Sequence, residues 1–405
     1  MKRSFADILQ DLDGERARKL ARKLPEWAAA GAEIPSALSL EQCSSSATAR
    51  YKSALISSPE PAATASENRS HPRLRKREGP ADGVSGRGPK DVFGGSSPPG
   101  GARILDLTGG LGVDSWAFSQ VAGQVVYFER DAALCAAAER NFARLGAWNI
   151  TVRNETVTPE TKLPEADLIY ADPARRSATG RKVFLLEDCT PDILTLLPML
   201  LEKAPAVLLK LSPMADLSML RERLGAVLRE IHVVELDGEV KELLCLLGRT
   251  PSPEEPEIAV TRLPGATFRF RMTEEREAEA VFTAGVQPGE VLLEPCPALL
   301  KAGAFNLPCK RWGLRKLAPS THLYLAPVPA SPWFKAWRII EVLPFGAAAF
   351  KQVKQRWPRT EVTARNLPLG SAGLQKKMGV APGGDTHIFA CRLADGSAAL
   401  IITER

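Results

Sequence analysis

Acidic residues stand at three places where apolar, strand-like runs stop. ARILDL carries Asp106 and enters the turn Thr108-Gly109-Gly110-Leu111-Gly112-Val113-Asp114. VVYFERD carries Glu129, and ADLIYADPARR carries Asp172 just before Pro173. Closely spaced glycines at a helix start let backbone N–H groups approach a ligand, because no Cβ stands in the way. Phosphate is the usual occupant of such a turn. Here Asp106 and Asp114 flank it, and carboxylates repel pyrophosphate. The two acids suit a ligand with a positive charge, such as the ammonium of an amino acid.

Glu129 lies seventeen residues after Gly112, where an acid closing the second strand can accept two hydrogen bonds from ribose hydroxyls. An adenosyl group joined to an amino acid satisfies turn and acid together, which points to S-adenosylmethionine as cofactor. Asn154 or Glu155, at the end of the third run, stands where a polar side chain can meet adenine. Ligands of open α/β sheets bind beyond the C-terminal ends of the strands, so Asp172 is expected in the same crevice. Pro173, with its fixed φ, makes that corner suited to orienting a substrate; a plain turn or helix cap is the alternative. The expected cofactor set is therefore Asp106, Thr108, Gly109, Gly110, Gly112, Asp114, Glu129, Asn154 and Asp172.

The elements that must position these residues alternate. ARILDL, a helix from Val113, QVVYFE, a helix from Ala132, ITVRN, ADLIYAD and AVLLKLS follow one another. Short apolar strands separated by helices imply a parallel sheet covered on both faces, so the fold class is α/β. After a helix expected over Met219 to Leu228, EIHVVEL and EVKELLCLLG are joined by Asp237-Gly238, a strong hairpin signal. A terminal antiparallel hairpin is the methyltransferase variant of the Rossmann-like sheet rather than the dinucleotide-binding one. Upstream, residues 1–56 read as a helical cap with Leu9, Leu12, Leu20 and Leu24 as core positions, broken at Pro25. Residues 57–101 are rich in Pro, Gly, Ser and charge and read as a linker or insertion. The expected domains are then 102–250 for the methyltransferase sheet, 256–328 for a small α+β (ferredoxin-like) domain, and 335–405 for a final compact unit.

The chain has 405 residues, 25% of them charged, and a net charge of +6, a composition that permits a nucleic-acid partner without demanding one. From Lys335 onward eleven Lys/Arg face five Asp/Glu, so the whole excess sits in the last seventy or so residues. Seven cysteines are scattered without a C-x-x-C pair, and the four histidines are isolated, so neither a metal site nor a disulfide framework is expected. No apolar run reaches the roughly 18 residues a spanning helix needs, and the charged N-terminus is not a signal-peptide core; a cytoplasmic protein is expected.

DLTGGLGVD, the strand-end Glu129 and the ADPAR corner together resemble class I S-adenosylmethionine-dependent methyltransferases. More narrowly, the chain resembles the bacterial methyltransferase family with a THUMP-like C-terminal domain. The stretches that carry this are LSLEQCSSSATARYKS (38–53), LLKLSPMAD (208–216), EPCPALLKAGAFNL (294–307) and RNLPLGSAGLQKKMGVAPGGDTHIFA (365–390). THUMP domains are associated with RNA-modifying enzymes, so the resemblance implies an RNA substrate, tRNA or rRNA.

The acceptor atom stays open between a ribose 2′-O and a base nitrogen. Amino-group methyltransferases usually carry an aromatic residue after the strand-four proline, whereas Ala174 and Arg175 follow here. Uracil-5 methylation needs a downstream Ser-Cys-Asn-Pro cysteine, and Leu211-Ser212-Pro213-Met214 replaces it. Ribose 2′-O-methyltransferases that resemble the heat-shock rRNA enzyme use a Lys-Asp-Lys-Glu set, and the same order is present as Lys52, Asp172, Lys210 and Glu242. A ribose hydroxyl is a poor nucleophile, and an amine that buries and meets another cation can take its proton. Arg365, Lys376 and Lys377 are the expected RNA-phosphate contacts; Trp333, Trp337 and Trp357 are expected more in the core than against bases. Two competing readings are a non-catalytic RNA-binding protein that keeps a methyltransferase-like sheet, and a methyltransferase acting on a small molecule or protein.

Overall fold

A computed structural model describes residues 5–57, 101–175, 186–326 and 331–405, with the side chains of 5–13, 175 and 188 excepted. Most of the expected linker, residues 58–100, lies outside the described residues, as do the side chains of Leu9 and Leu12. The chain forms two compact units, residues 1–230 with 243–253, and residues 231–242 with 254–405.

The first unit opens with helices α1 (Phe5–Lys23), α2 (Pro25–Ala29), α3 (Ala37–Gln42) and α4 (Ser46–Ser57). Pro25 does not so much break a helix as begin one: it occupies the first turn of α2, where its missing N–H costs nothing. Strands β1 (Arg103–Asp106), β2 (Gln124–Glu129), β3 (Ile150–Asn154), β4 (Leu168–Ala171) and β7 (Ala206–Leu211) follow. Between β4 and β7 the two-residue strands β5 (Ala174–Arg175) and β6 (Cys189–Thr190) pair with each other. β1 pairs in parallel with β2 and β4, β2 with β3, and β4 with β7. β8 (Leu228–Leu236) and β9 (Glu239–Gly248) form the hairpin, and residues 243–248 of β9 run antiparallel to β7. Asp237, at the hairpin tip, adopts φ 55° ahead of Gly238 at 78°, the left-handed pair that a tight two-residue turn demands.

Helices α5 (Val113–Ser119), α6 (Ala132–Arg144), α7 (Ile193–Lys203) and α8 (Leu217–Leu224) connect the strands. Asp131, Asp192 and Asp216 cap the last three, each accepting from a backbone N–H of the first turn. The fourth ends at Leu224, short of the expected Leu228, because Gly225 turns the backbone to φ 54°.

Ile104, Leu105, Val125, Phe128, Leu168, Ile169, Val207 and Leu209 are buried, as strands covered on both faces require. The N-terminal helices pack on α5 and α6. Leu24, Trp27, Leu40 and Ala49 join Val113, Ala117, Cys135 and Phe142 in one cluster, and Trp27 meets Trp116 edge to face at 6.3 Å. Glu33 fastens the same region from outside, pairing with Arg140 and Arg144. This packing holds α4 against the helix that follows the glycine turn.

In the second unit, β10 (Glu257–Leu263) and β11 (Ala266–Phe270) form a hairpin, followed by α9 (Met272–Glu277), β12 (Val291–Pro295), α10 (Pro297–Ala302), α11 (Leu307–Trp312), β13 (Arg315–Lys316) and β14 (Tyr324–Ala326). The chain closes with β15 (Phe334–Pro344), α12 (Ala347–Arg356), β16 (Glu361–Arg365), α13 (Ser371–Met378), β17 (Thr386–Arg392) and β18 (Ala398–Glu404). Its seven-stranded sheet runs β13-β14-β12-β15-β18-β17-β16. On one face Ile388, Ala390, Leu400 and Ile402 pack with Val353, Leu374 and Met378 of α12 and α13. On the other, Trp337, Ile339, Phe389 and Ile401 pack with Leu317 and Leu323.

Candidate active site

The glycine turn is built by what its neighbours allow. A Cβ on Gly109 would lie 2.0 Å from the Tyr127 ring, and one on Gly112 would lie 2.6 Å from Phe142, at a φ of 90°. These two glycines let the turn close onto β2 and α6. Gly110 differs: at φ 54° its Cβ position is open, with nothing nearer than Thr108 O at 3.9 Å. Tyr127 donates from its hydroxyl to Gly110 O at 2.6 Å and fixes the turn from below.

Four N–H groups of the turn are bonded within the protein. Thr108 N donates to Asp106, Gly109 N to Phe128 O, Gly110 N to Glu129 and Gly112 N to Gly109 O. The amides of the three glycines are thus engaged within the protein, and what these residues add to the turn is room.

The flanking acids also differ from expectation, because both turn into the protein. Asp106 is 1% exposed and accepts from Ser115 Oγ at 2.6 Å and Thr108 N at 3.0 Å. Burial pushes its carboxyl up to about 7, against the pull of those two hydrogen bonds. Asp114 accepts from Ser44 Oγ at 2.8 Å and Tyr170 OH at 2.7 Å. Lys52 Nζ stands 3.2 Å from Asp114 Oδ1, an ionic contact off hydrogen-bond alignment, and donates to Ser44 Oγ at 3.0 Å. Burial alone would raise Asp114; Lys52 and then Lys210, with the Tyr170 and Ser44 hydrogen bonds, outweigh it and hold the group below the usual carboxylate range. The positive charge that suits Asp114 is thus the chain's own Lys52, from the stretch 38–53. Lys52 is wholly buried.

Glu129 is the last residue of β2. One carboxylate oxygen accepts from Gly110 N at 2.9 Å and the other from Asp131 N at 2.8 Å, which orients the group and leaves its remaining lone pairs for hydroxyls. Asn154 donates to Glu129 O and Arg130 O, so it braces the end of β2 with its amide nitrogen.

Asp172 reaches the turn through its backbone: its N–H donates to Thr108 Oγ1 at 2.6 Å. Its carboxylate pairs with the Lys210 ammonium from the end of β7, and this carboxylate is about one-third exposed whereas the Lys210 side chain is mostly covered. Lys23 approaches the same area; its amine is pushed down by burial, with Lys19 and Lys210 adding to the effect. Of the four tetrad residues, the first unit thus brings Asp172 and Lys210 into contact and seats Lys52 on Asp114. Glu242 is a buried residue of the second unit. Ser44, Ser115, Tyr127 and Tyr170 are site residues that sequence reasoning missed. The signal for Tyr127 and Tyr170 was a polar end on an otherwise apolar strand beside the turn.

The chain as a whole is similar to a solved structure. The chain is 32% identical to a candidate methyltransferase from Porphyromonas gingivalis W83, over 96% of this chain and 88% of that one, with a TM-score of 0.76. Residues 334–405 match the THUMP-domain-like family, and residues 292–331 match a ferredoxin-like domain family.

The chain belongs to the methyltransferase family with a THUMP-like C-terminal domain.

As a family member it carries the class I fold: α/β, with a parallel sheet ended by an antiparallel hairpin. Weaker likenesses include a class I methyltransferase candidate from Listeria monocytogenes (11% identity, 42% of this chain, 60% of that one, TM-score 0.32) and an rRNA methylase from Streptococcus thermophilus (12%, 37%, 87%, 0.28). No curated protein matches the chain in sequence. Among the described residues no group of three or more His, Cys, Asp or Glu is placed to hold a metal, and no helix is long and apolar enough to cross a membrane. Within the THUMP-like region of this family member, Arg365 is ion-paired with Glu294 at 3.1 Å, while Lys376 and Lys377 are exposed on α13. Trp333 and Trp337 are buried.

Proposed function

We propose that this chain transfers the methyl group of S-adenosylmethionine to RNA, tRNA or rRNA, at a crevice beyond the C-terminal ends of β1, β2, β4 and β7. The observation that carries this is the Asp172–Lys210 pair tied to the glycine turn through Thr108. Cofactor-side and acceptor-side residues are thereby held in one hydrogen-bonded frame.

The residues present fit the cofactor. Gly110 leaves open space at the turn, and Glu129 is pinned by two backbone N–H groups in a pose that can accept ribose hydroxyls. Asp106, Thr108, Gly109, Gly112 and Asp114 act from behind, shaping the turn. Asn154 supports adenine from the end of β3. When bound, the cofactor supplies an electrophilic methyl already activated by the sulfonium charge.

The protein's part is geometry and one proton. Asp172 orients the acceptor or the lysine beside it, and holding the nucleophile in line supplies much of the acceleration. Once the Lys210 ammonium has released its own proton to solvent, its amine can take the proton of a hydroxyl acceptor, and this favours ribose 2′-O over a base nitrogen. Lys52 acts as the cation that fixes Asp114 behind the turn.

Incubating the protein with isotopically labelled S-adenosylmethionine and total bacterial RNA, then digesting to nucleosides for mass spectrometry, tests the reading. A labelled 2′-O-methyl nucleoside is the expected result. A labelled base would move the acceptor, and absence of label despite calorimetric binding of the cofactor would leave a non-RNA methyltransferase. Absence of cofactor binding would leave an RNA-binding protein with a methyltransferase sheet.

A further inference from the structure

The three cations expected to meet RNA divide between the two sides of the C-terminal sheet. Lys376 and Lys377 belong to α13, which packs on the Ile388–Ala390–Ile402 face. Arg365 belongs to the other face, where its charge is taken by Glu294. A strand of RNA meeting this unit has to favour one side.

Side chains two apart on a strand share a face, so Lys335, Trp337 and Ile339 of β15 stand together. Ile339 opposes Thr403 and Arg338 opposes Glu404, which brings Arg405 beside Trp337. Two cations converge on that one indole: Lys335 Nζ lies 4.1 Å, and the Arg405 guanidinium carbon 5.6 Å, from its ring centre. Lys335 and Arg405 are exposed while Trp337 beneath them is buried. The nearby carboxylates are already committed, Glu294 to Arg365 and Glu404 to Arg338. His387 tilts against Trp337 at 4.7 Å and is tied to Thr363 Oγ1 at 2.7 Å, giving the two cations a stiff floor. Partial burial and then Arg405 push the Lys335 amine below its ordinary value, with Glu294 opposing them, and an anion between the two cations relieves the Arg405 part.

We propose that Lys335 and Arg405, held over Trp337, form the phosphate-contacting surface of this unit, and that the partner is an RNA strand. This deepens the RNA reading above and rests on it. Exposed cations on an aromatic floor match a phosphodiester backbone, and fixed side chains lose little entropy when the backbone arrives.

The test uses the full chain with total bacterial tRNA and a fluorescein-labelled 20-nucleotide single-stranded RNA as probes, titrated at several salt concentrations. The double variant Lys335→Ala/Arg405→Ala is expected to bind about tenfold more weakly, and its log–log salt slope on the single strand to fall by about 1.4, two contacts at ~0.7 each. Lys376→Ala/Lys377→Ala is expected to stay within about twofold of the parent. Lys335→Arg, which keeps the charge, is expected to bind as the parent does. Both altered residues are exposed, so thermal melting should be unchanged and checks that the unit is folded. Loss on the α13 side instead, or parent-like binding by the Lys335/Arg405 variant, overturns the assignment while leaving the RNA reading. Failure of the parent itself to bind either probe in a salt-dependent way overturns both.

Discussion

Asp106 and Asp114 stand eight residues apart at the two ends of one glycine turn, both buried, yet their partners shift them in opposite directions. At the Asp106 end the carboxyl meets only neutral donors, Ser115 Oγ and Thr108 N, and burial raises it to about 7. At the Asp114 end Lys52 stands 3.2 Å away, and the carboxyl is held below its usual range. Ser44 and Tyr170 add hydrogen bonds there. Burial with unequal partners gives one acid raised toward neutral pH and one held ionised below the usual carboxylate range. The turn between them is therefore not ringed by free negative charge. Asp172 makes a third case, a carboxylate about one-third exposed and paired with a mostly covered lysine.

The largest expected effect comes from abolishing the Asp106 end. Its folded-state value is raised, so the stability it confers is complete below about pH 4, where the unfolded chain also holds the proton, and is lost as pH rises through about 7. A shift of about three units corresponds to about 4 kcal/mol across that window. Asp106→Asn cannot ionise. Its urea unfolding free energy, measured from pH 4.5 to 7.5, should lack the parent's decline; parallel curves would show that Asp106 does not titrate there. Next in size is the Asp114 end. Asp114→Ala leaves Lys52 buried without its carboxylate and is expected to cost about 3 kcal/mol. The sign of its pH dependence is opposite: Asp114 is depressed, so its contribution is present above about pH 4 and lost below. Lys52→Met should cost less than Asp114→Ala, since Asp114 keeps Ser44 and Tyr170; an equal or greater loss would overturn this account of the pair.

Much of this site was legible in the chain, and the part that was not has one physical cause. Asp106, Glu129 and Asp172 each close an apolar run, and a parallel sheet gathers its strand ends on one side, so their shared location follows from pattern. The hairpin at Asp237-Gly238 follows from turn chemistry. The partner of Asp114 does not. Lys52 lies 62 positions upstream, across residues 58–100 that carry no periodic signal, and reaches Asp114 only because α4 packs against α5 through Ala49 and Val113. Burial also escaped the reading: a strand-end acid reads alike whether it faces a ligand or, as with Asp106, the inside of the turn. The Asp172–Lys210 contact sharpens the distinction between supporting and reacting groups. Lys210→Met should lower methyl transfer about 100-fold, near 2.7 kcal/mol, with cofactor affinity within about threefold. An equal loss in both would make Lys210 a support like Lys52.

The smallest effect separates the glycines themselves. Gly109 and Gly112 are needed because a Cβ would enter the Tyr127 or Phe142 ring, but Gly110 has open space and only an unusual backbone to justify it. An alanine there can form the same N–H bond to Glu129 and accept the same Tyr127 hydroxyl, at the cost of a left-handed residue with a Cβ, about 1 kcal/mol. Gly110→Ala should therefore unfold at slightly lower urea while its spectrum stays that of the parent. If the open space is where the cofactor lies, the same methyl group obstructs it, and S-adenosylmethionine affinity measured by calorimetry should fall by more than the stability loss alone accounts for, about tenfold. Unchanged affinity with the small stability loss would mean that the turn faces solvent rather than cofactor, and that Glu129 is pinned for the sake of the fold.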